Sequence, residues 1–265
     1  MSTLIHPTAV VHPKAEIHPS VQIGPYAVIG EHVSIGAGSV IDAHVIINGR
    51  TTIGQGNRFY PGAAIGLEPQ DLKYQGAASL VQIGDRNTFR EYTTVNRATA
   101  EGEKTIIGNN NLLMAYVHVA HNCVLADNIV IANSVAIAGH VEIESRAVIG
   151  GMLGIHQFVH IGKMAMLGGM SRIDRDVPPF MLVEGNPSRV RSLNLVGLKR
   201  SGLNRAEMKL LKKAFRTLYS SDLKMSDAIA KLNTLGEHEH LHHLQTFLET
   251  ALQPERRGLT PGKRS

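Results

Sequence analysis

Aliphatic residues recur at every sixth position over the first 173 residues of the chain. Counted in steps of six from Ile5 to Ile173, 26 of 29 positions hold Ile, Val, Leu or Phe. The exceptions are Asp71, Ala77 and Glu101. Ordinary composition would place such residues at roughly a quarter of the positions. A period of six over this length indicates a solenoid built from short repeated segments.

Each six-residue segment is typical of one short strand followed by a corner. Because side chains alternate along a strand, the aliphatic residue and the residue two before it are both expected to point inward. The position after the aliphatic residue is frequently Gly, and we interpret Gly, Asn and Asp between strands as residues that tolerate the backbone angles of a tight corner. Three segments make one triangular coil of 18 residues. The pattern therefore predicts a parallel β-helix whose coils stack at about 4.8 Å and whose ends need caps.

Two polar segments interrupt the repeat. Residues 67–80 read LEPQDLKYQGAASL, and residues 99–105 read TAEGEKT. Both predict loops that leave the triangular prism. Loops held on a rigid scaffold are where binding residues tend to lie.

A different pattern begins after Asp176, where the sequence continues Val-Pro-Pro. Residues 180–194 predict an extended or turning connector, and helical periodicity follows it. The tail, residues 254–265, is polar and basic, and it is predicted to be frayed. We therefore divide the chain into a β-helix domain, residues 1–179, and a connector with a C-terminal α-helical cap, residues 180–265.

Three helices are predicted in the second domain. Asn204 is the expected N-cap of the first, and Glu207 completes a capping box with it. Ser226 is the expected N-cap of the second helix, which ends at Gly236. The third helix is predicted over about residues 237–252.

Composition narrows the classes of function. The chain has 265 residues, 26 Gly, no Trp and 5% aromatic residues, which suits a repetitive scaffold packed with small and β-branched side chains. No stretch approaches the roughly 18 apolar residues of a membrane span, and the N-terminus lacks the pattern of a signal peptide. The single Cys123 excludes an internal disulfide framework, so we expect a cytoplasmic location. Its place in the repeat faces the interior, so we expect it to be a small buried residue. The net charge of +5 is mild, so we expect an acidic partner but no nucleic acid.

Histidines gather on three neighbouring coils. Adding 18 residues to His121 reaches Gly139, and adding 18 again reaches Gln157. These positions are expected to stack at one outward point, with His140 and His156 beside them. Because an imidazole has an ordinary pKa near working pH, the column predicts a general base next to a backbone N–H that can stabilise an oxyanion. Solvated histidines on an inactive prism are the alternative.

Six motifs carry a resemblance to a known family. They read PQDLKY, HVAHNCV, IAGHVE, IHQFVHIG, DVPPFMLVEGNPS and LNLVGLKRSG. They are similar to those of the UDP-N-acetylglucosamine O-acyltransferases, which are hexapeptide-repeat transferases, and the resemblance runs from about residue 5 to residue 260. It implies that the β-helix is left-handed, because periodicity alone does not decide the hand and ordinary crossovers favour the right-handed form.

The resemblance also implies an activity. In this family a (3R)-hydroxyacyl chain is transferred from acyl carrier protein to the sugar 3-position of UDP-GlcNAc, the first step of lipid A biosynthesis. The family forms homotrimers with active sites between adjacent subunits. His121 matches the catalytic base of the family, and Gly139 matches its oxyanion donor. We expect no cofactor.

Further positions match the substrate-binding residues of the family. Asp71 and Lys73 match the positions that meet the sugar, phosphate and acyl hydroxyl. The positions for the sugar and diphosphate are matched by His118, His140 and Gln157, with His156 beside them. Asn194 and Arg200 match the positions that hold the acyl-pantetheine or nucleotide, and Gly169 matches the position that sets the length of the acyl chain.

Several positions depart from the family pattern. Asn122 stands where many members have an acid after the catalytic His, so an orienting carboxylate must come from elsewhere or be absent. Val196 replaces an acid, Ser201 replaces a second Arg, and residues 96–98 read Asn-Arg-Ala instead of His-Arg-Gly. These changes leave open an amine acceptor, UDP-GlcNAc3N. Acetyltransferases that use CoA also stay open on fold alone.

Two groups of histidines could hold a metal ion. Residues 238–242 read HEHLH and match the H-E-x-x-H motif, but we interpret them as a solvated face of the third helix. A zinc site formed by His118, His121 and His140, as in the β-helical carbonic anhydrases, is the alternative from another class. We expect no metal.

Overall fold

In the part of the chain that the structure describes, a parallel β-helix is followed by four α-helices. The computed structural model describes residues 4–221 and 223–262, and none of the helices in these ranges is both long and apolar enough to span a membrane. The strands, in chain order, are β1 (Val10–Val11), β2 (Glu16–Ile17), β3 (Gln22–Ile23), β4 (Val28–Ile29), β5 (Val33–Ile35), β6 (Val40–Ile41), β7 (Ile46–Ile47), β8 (Arg50–Ile53), β9 (Arg58–Phe59), β10 (Ala64–Leu67), β11 (Leu80–Ile83), β12 (Thr88–Phe89), β13 (Thr94–Asn96), β14 (Lys104–Ile107), β15 (Leu112–Leu113), β16 (His118–Val119), β17 (Val124–Leu125), β18 (Val130–Ile131), β19 (Ala136–Ile137), β20 (Glu142–Ile143), β21 (Val148–Ile149), β22 (Gly154–Ile155), β23 (His160–Ile161), β24 (Met166–Leu167), β25 (Arg172–Ile173), β26 (Met181–Gly185) and β27 (Ser188–Leu193). The helices are α1 (Leu195–Arg200), α2 (Arg205–Tyr219), α3 (Met225–Leu232) and α4 (Glu239–Ala251), with a 3-10 turn (Asn233–Leu235) after α3.

The strands form the three faces of a triangular prism. The first face runs from β1 through every third strand to β25, the second from β2 to β23, and the third from β3 to β24 and then the β26–β27 hairpin. Neighbouring strands on a face are parallel, and the register advances by 18 residues where no loop intervenes, as from His118 to Ala136 and from Ala136 to Gly154. The predicted coil length is confirmed.

The prism interior is filled by the repeat residues. The aliphatic residue of the hexapeptide is buried, as at Ile47 and Leu113, which have no exposed surface. The residue two before it is buried as well, as at Ala27 and Val45. The alternation of side chains on two-residue strands is therefore sufficient to build one continuous core.

The glycines after the aliphatic positions allow coils to approach each other. A Cβ on Gly108 would lie 2.8 Å from the carbonyl oxygen of Ala126 on the next coil. The left-handed backbone angles occur elsewhere, three positions after the aliphatic residue, where His140 has φ 59° and Phe158 has φ 64°. Our interpretation of these glycines as corner residues was therefore wrong, because their role is close packing between coils.

Both interruptions of the repeat form loops, as predicted. The first loop, residues 68–79, joins β10 to β11, and the second loop, residues 97–103, joins β13 to β14. Residues 180–194 are more regular than predicted, because they form the β26–β27 hairpin, and Leu182 on β26 pairs in parallel with Met166 on β24. The division of the chain at residue 179 stays a prediction.

The helical predictions had mixed outcomes. The capping box of α2 is confirmed, since the Asn204 side chain accepts from the Glu207 N–H and the Glu207 side chain accepts from the Asn204 N–H. The predicted Ser226 cap was wrong, because α3 begins one residue earlier, at Met225. Helix α1 was missed, because six residues are too few to show a helical period; its N-cap is Asn194.

The tail was predicted to be frayed, but its described residues dock on the prism. The Arg256 guanidinium lies 3.3 Å from the fully buried carboxylate of Asp176. The Thr260 N–H donates to the Asp176 carbonyl at 2.9 Å, and the Asp176 N–H donates to the Gly258 carbonyl. The buried carboxylate thus explains why a polar tail is held. Residues 263–265 lie outside the described residues.

The Glu144 carboxylate joins the prism to α4. It accepts hydrogen bonds from His160 Nε2 at 2.9 Å and from His243 Nε2 at 2.7 Å. Burial works to raise the pKa of this carboxyl, but the two hydrogen bonds outweigh burial and lower the pKa to about 2. Because this value is below the ordinary 4.5, the stabilisation is fully present above pH 4.5 and is lost as the pH falls towards 2.

Replacing Glu144 with Gln is expected to lower the Tm at pH 7 by about 5 °C, because an ionised acceptor of three hydrogen bonds, from His160, His243 and the Lys163 N–H, is lost. The difference from wild type should narrow as the pH falls below about 4.5, which thermal unfolding between pH 7 and pH 3 would measure. Glu142→Gln is the matched control, since that side chain is exposed two residues away. A Tm difference that stays constant over this pH range would contradict the assignment.

Candidate active site

His121 lies at the corner between the first and second faces. Its ring rests against the backbone of Gly139 on the next coil, so closely that a Cβ at Gly139 would lie 2.6 Å from Nε2. The His140 N–H donates to the His121 carbonyl at 3.0 Å, and the Phe158 N–H donates to the Gly139 carbonyl at 3.2 Å, so the three coils stay in step. Gln157 follows on the third coil with an exposed side chain.

Hydrogen bonds determine which ring nitrogen of His121 carries the proton. Asn122 Oδ1 accepts from the Thr99 N–H at 3.1 Å, and Asn122 Nδ2 donates to the Glu103 carboxylate at 2.7 Å. This hydrogen bond lowers the pKa of the Glu103 carboxyl, so the group is an ionised acceptor. Because an N–H can only donate and a carboxylate can only accept, both contacts orient the amide in the same way. His121 Nδ1, 3.0 Å from Asn122 Oδ1, therefore carries the proton, and Nε2 keeps its lone pair.

The first loop brings an acid to the free nitrogen. Asp71 Oδ2 lies 3.9 Å from His121 Nε2, which is too long for a hydrogen bond. The other Asp71 oxygen accepts from the Lys73 N–H at 2.9 Å, while the Lys73 side chain is exposed. Arg97 holds the loop by donating to the Tyr74 hydroxyl at 2.9 Å. The loop thus leaves a gap beside Nε2.

Two further histidines line the column and favour the neutral state. A hydrogen bond joins His118 Nδ1 and the Thr94 hydroxyl oxygen at 2.8 Å. The His140 ring stacks on Phe158 at 4.7 Å and lies edge-on to His121 at 5.2 Å. Burial, and then the repulsion that a protonated His121 would exert, lowers the pKa of both His118 and His140. Both rings are therefore suited to hydrogen bonding rather than to carrying charge.

His156 borders a groove on the first face. The groove, about 430 Å³ in volume, is lined mainly by aliphatic residues together with His118 and Arg172. Gly169 lies between β24 and β25, at the opposite edge of this face from the histidine column. A larger polar cavity of about 660 Å³ near Glu144, between the prism and the helices, includes none of the histidine column.

Asn194 and Arg200 lie at the two ends of α1, away from the histidine column. Asn194 is buried, where it caps the helix by accepting from the Gly197 N–H at 3.0 Å and donates to the Met164 carbonyl at 3.0 Å. Arg200 is the last residue of α1 and is exposed, and Val196 is 62% exposed. Within the described residues, no hydrogen bond or ion pair joins Asn194 or Arg200 to the histidines.

Three neighbours of the histidine column were missed by the sequence analysis. Phe158 lies 18 residues after His140, so the coil length is a signal that points to it. Thr99 and Glu103 lie on the second loop, where the insertion interrupts the six-residue count. No signal in the sequence places those two beside Asn122.

The candidate metal and thiol sites have other roles in the structure. In residues 4–221 and 223–262, no three His, Cys, Asp or Glu side chains are arranged to hold a metal ion. His238 caps α4 by accepting from the His240 N–H at 3.2 Å. Cys123 is fully buried, and burial raises the pKa of its thiol to about 12, so its interpretation as a small buried residue is confirmed.

Comparison with known families agrees with the fold. A profile described as bacterial transferase hexapeptide, six repeats, matches residues 104–139. A second profile, described as UDP N-acetylglucosamine O-acyltransferase, domain 2, matches residues 176–260. The repeat, the prism and these matches define a hexapeptide-repeat transferase.

Full-length relatives narrow the class further. The acyl-[acyl-carrier-protein]--UDP-N-acetylglucosamine O-acyltransferases of Gloeothece citriformis and Rippkaea orientalis are 62% and 63% identical to the chain, covering 99% of it and 96% of each relative. The chain belongs to this O-acyltransferase family, and it is an acyltransferase.

Solved structures agree with this assignment. The UDP-N-acetylglucosamine acyltransferase of Francisella novicida is 37% identical with a TM-score of 0.94, covering 98% of this chain and 95% of that one. The enzyme of the same name from Campylobacter jejuni is 38% identical with a TM-score of 0.92, covering 98% and 100%. The predicted fold class, a mainly β, left-handed parallel β-helix with C-terminal helices, is confirmed.

Proposed function

We propose that this enzyme transfers a (3R)-hydroxyacyl chain from acyl carrier protein to the 3-hydroxyl of UDP-GlcNAc, the first step of lipid A biosynthesis. The names of the relatives support the acyl carrier protein, the nucleotide sugar and an oxygen acceptor. The observation that carries the mechanism is the contact of His121 Nδ1 with Asn122 Oδ1, which leaves Nε2 free beside the backbone of Gly139.

His121 is proposed to act as the general base. Its Nε2 removes the proton from the sugar 3-hydroxyl while Nδ1–H stays hydrogen-bonded to Asn122. The sugar oxygen then attacks the thioester carbonyl, the C–O bond forms, and the tetrahedral intermediate collapses with cleavage of the C–S bond. The proton on Nε2 passes to the departing pantetheine sulfur, so the carrier leaves as a thiol and His121 returns to its starting state.

The Gly139 N–H is proposed to stabilise the tetrahedral oxyanion. Within the described hydrogen bonds this N–H donates to no acceptor, and the absence of a side chain leaves it open beside the His121 ring. A preorganised backbone donor of this kind is worth about 10²–10³ in rate.

The substrate-binding roles are proposed from the arrangement around the column. His118, His140, His156 and Gln157 hold the sugar and diphosphate, and Asp71 with Lys73 meets the sugar, phosphate and acyl hydroxyl from the first loop. The groove on the first face runs beside the column and is largely aliphatic, which suits an acyl chain. Gly169, at the far edge of that face, is proposed to set the length of chain that fits.

Arg200 is proposed to act on the site of a neighbouring subunit. It is exposed and lies away from the histidines of its own chain, and a homotrimer with sites between subunits would use it for the acyl-pantetheine or nucleotide. The same role for Asn194 stays a prediction, because its amide is buried and hydrogen-bonded to Met164 and Gly197. Arg200 and the neighbouring Lys199 are exposed cations, which suits an acidic carrier protein. The homotrimer and the cytoplasmic location both stay predictions.

An acyl-transfer assay tests this function. It uses hydroxyacyl carrier proteins of several chain lengths, with UDP-GlcNAc and its 3-amino analogue as acceptors. We expect O-acylated UDP-GlcNAc as the main product and a clear optimum of chain length. Turnover confined to the 3-amino analogue would overturn the oxygen acceptor, and stoichiometric zinc without acyl transfer would overturn the function.

A further inference from the structure

Asn122 connects the catalytic ring to a carboxylate on a different coil. Its Oδ1 accepts from His121 Nδ1 at 3.0 Å and from the Thr99 hydroxyl at 3.1 Å. Its Nδ2 donates to Glu103 Oε2 at 2.7 Å, and the Ala100 N–H donates to the same oxygen at 3.2 Å. The exposed Glu103 carboxylate is therefore held on one side by its own loop and on the other by the amide next to the base.

An amide beside His121 does not by itself make the ring a base. If the amide turned over, its NH₂ group would face Nδ1, the proton would move to Nε2, and the ring could not accept a proton from the sugar. Glu103 opposes this reversal, because a carboxylate accepts from Nδ2 but repels Oδ1. Its negative charge also favours the imidazolium that forms when Nε2 takes the proton.

We propose that Glu103 is a positioning residue for the general base, acting through the Asn122 amide to keep the proton on His121 Nδ1 and to stabilise the imidazolium. This inference rests on the proposed role of His121. Asn122, the residue next to His121, has no carboxylate, so the orienting carboxylate is supplied by Glu103 on the second loop. Neither Glu103 nor Asn122 contacts the reacting atoms.

Two replacements of Glu103 separate its charge from its hydrogen bond. Glu103→Ala removes both, and we expect kcat to fall about 10-fold, a part of the full value of a positioned base, with both KM values within about 2-fold of wild type. The acidic limb of the kcat–pH profile should move to lower pH, because the imidazolium loses a nearby negative charge. Glu103→Gln still accepts from Asn122, so its kcat should fall less, although the limb should move in the same direction.

A double replacement tests the relay by rescue. Asn122→Asp alone places two carboxylates where the amide and Glu103 now meet at 2.7 Å, so its kcat should be low. Adding Glu103→Gln removes that repulsion and supplies a donor to the new carboxylate, which accepts directly from Nδ1. We expect kcat of N122D/E103Q within about 3-fold of wild type, with the acidic limb restored.

Glu101→Ala is the matched control for disturbance of the second loop. The Glu101 carboxylate accepts from the Ala78 N–H at 2.8 Å, so its loss disturbs a loop contact without touching Asn122. We expect its acidic limb to coincide with that of wild type. If E101A and E103A lose activity equally with no movement of the limb, Glu103 has only a structural role and the inference is overturned.

The His121→Ala variant distinguishes a failure of this inference from a failure of the proposed function. Wild-type turnover by H121A would remove the general base and the relay with it. Loss of turnover in H121A together with an unmoved limb in E103A would leave the base in place and overturn the relay alone. A moved limb together with rescue in N122D/E103Q supports both.

Discussion

Replacing His121 with alanine is expected to lower kcat by about 10²–10⁴-fold, the usual value of a positioned general base. The ring is the group whose unprotonated nitrogen faces the gap beside Asp71, 3.9 Å away. His118 and His140 are poor substitutes, because burial lowers their pKa values and weakens them as bases even when the His121 ring is absent. Steady-state acyl transfer at saturating substrates measures the loss, and Tm should stay near that of wild type.

His32→Ala is the control for the removal of an imidazole. The His32 side chain is exposed on an early coil, and no role in the reaction is assigned to it. We expect its kcat to match wild type, and we expect added imidazole to recover part of the H121A activity. Abundant turnover by H121A without imidazole would contradict the assignment of the base.

Replacing Gly139 with alanine is expected to lower kcat by at least about 10²-fold, because two catalytic groups are disturbed at once. The new Cβ would lie 2.6 Å from His121 Nε2 and 3.0 Å from Nδ1, so the ring must move and its hydrogen bond to Asn122 is broken. The same methyl group narrows access to the Gly139 N–H. Single-turnover acyl transfer measures the chemical step directly.

A double-mutant cycle distinguishes these two effects of Gly139→Ala. In the H121A background the ring is absent, so the methyl group has room and displaces nothing. If displacement of the ring dominates, Gly139→Ala should cost little in that background. If the N–H dominates, the cost should stay near 10²-fold in both backgrounds. Wild-type kcat in G139A itself would contradict both roles.

Most of the prism could be predicted from the sequence, because the repeat is local. Two-residue strands, buried aliphatic positions and an 18-residue coil all follow from a period of six. The elements that were missed or misplaced are short or non-periodic. Helix α1 has six residues, α3 begins without a side-chain cap, and the tail docks through the buried carboxylate of Asp176, which lies 80 residues before Arg256.

In the candidate site, the residues on the coils could be placed from the sequence, and the residues on the loops could not. The coil length was sufficient to place His121, Gly139 and Gln157 on successive coils, and the same count reaches Phe158 from His140. It could not place Asp71 or Glu103, since a loop that leaves the prism has no fixed number of residues per coil. Their positions depend on contacts made by each loop, such as the hydrogen bonds from Arg97 to Glu68 and Tyr74 of the first loop.

The sequence by itself determined the repeat, the faces of the prism and the column of His121, because a solenoid converts spacing along the chain directly into stacking. Only the tertiary structure decided which nitrogen of His121 is free, since this depends on a carboxylate and a backbone N–H of the second loop and on the amide of Asn122. The same structure showed that the glycines directly after the aliphatic positions serve close packing of coils, whereas Gly38, Gly56 and Gly62 have the left-handed angles of a corner. The physical reason is that stacking repeats along the chain, whereas hydrogen-bond partners across an insertion do not.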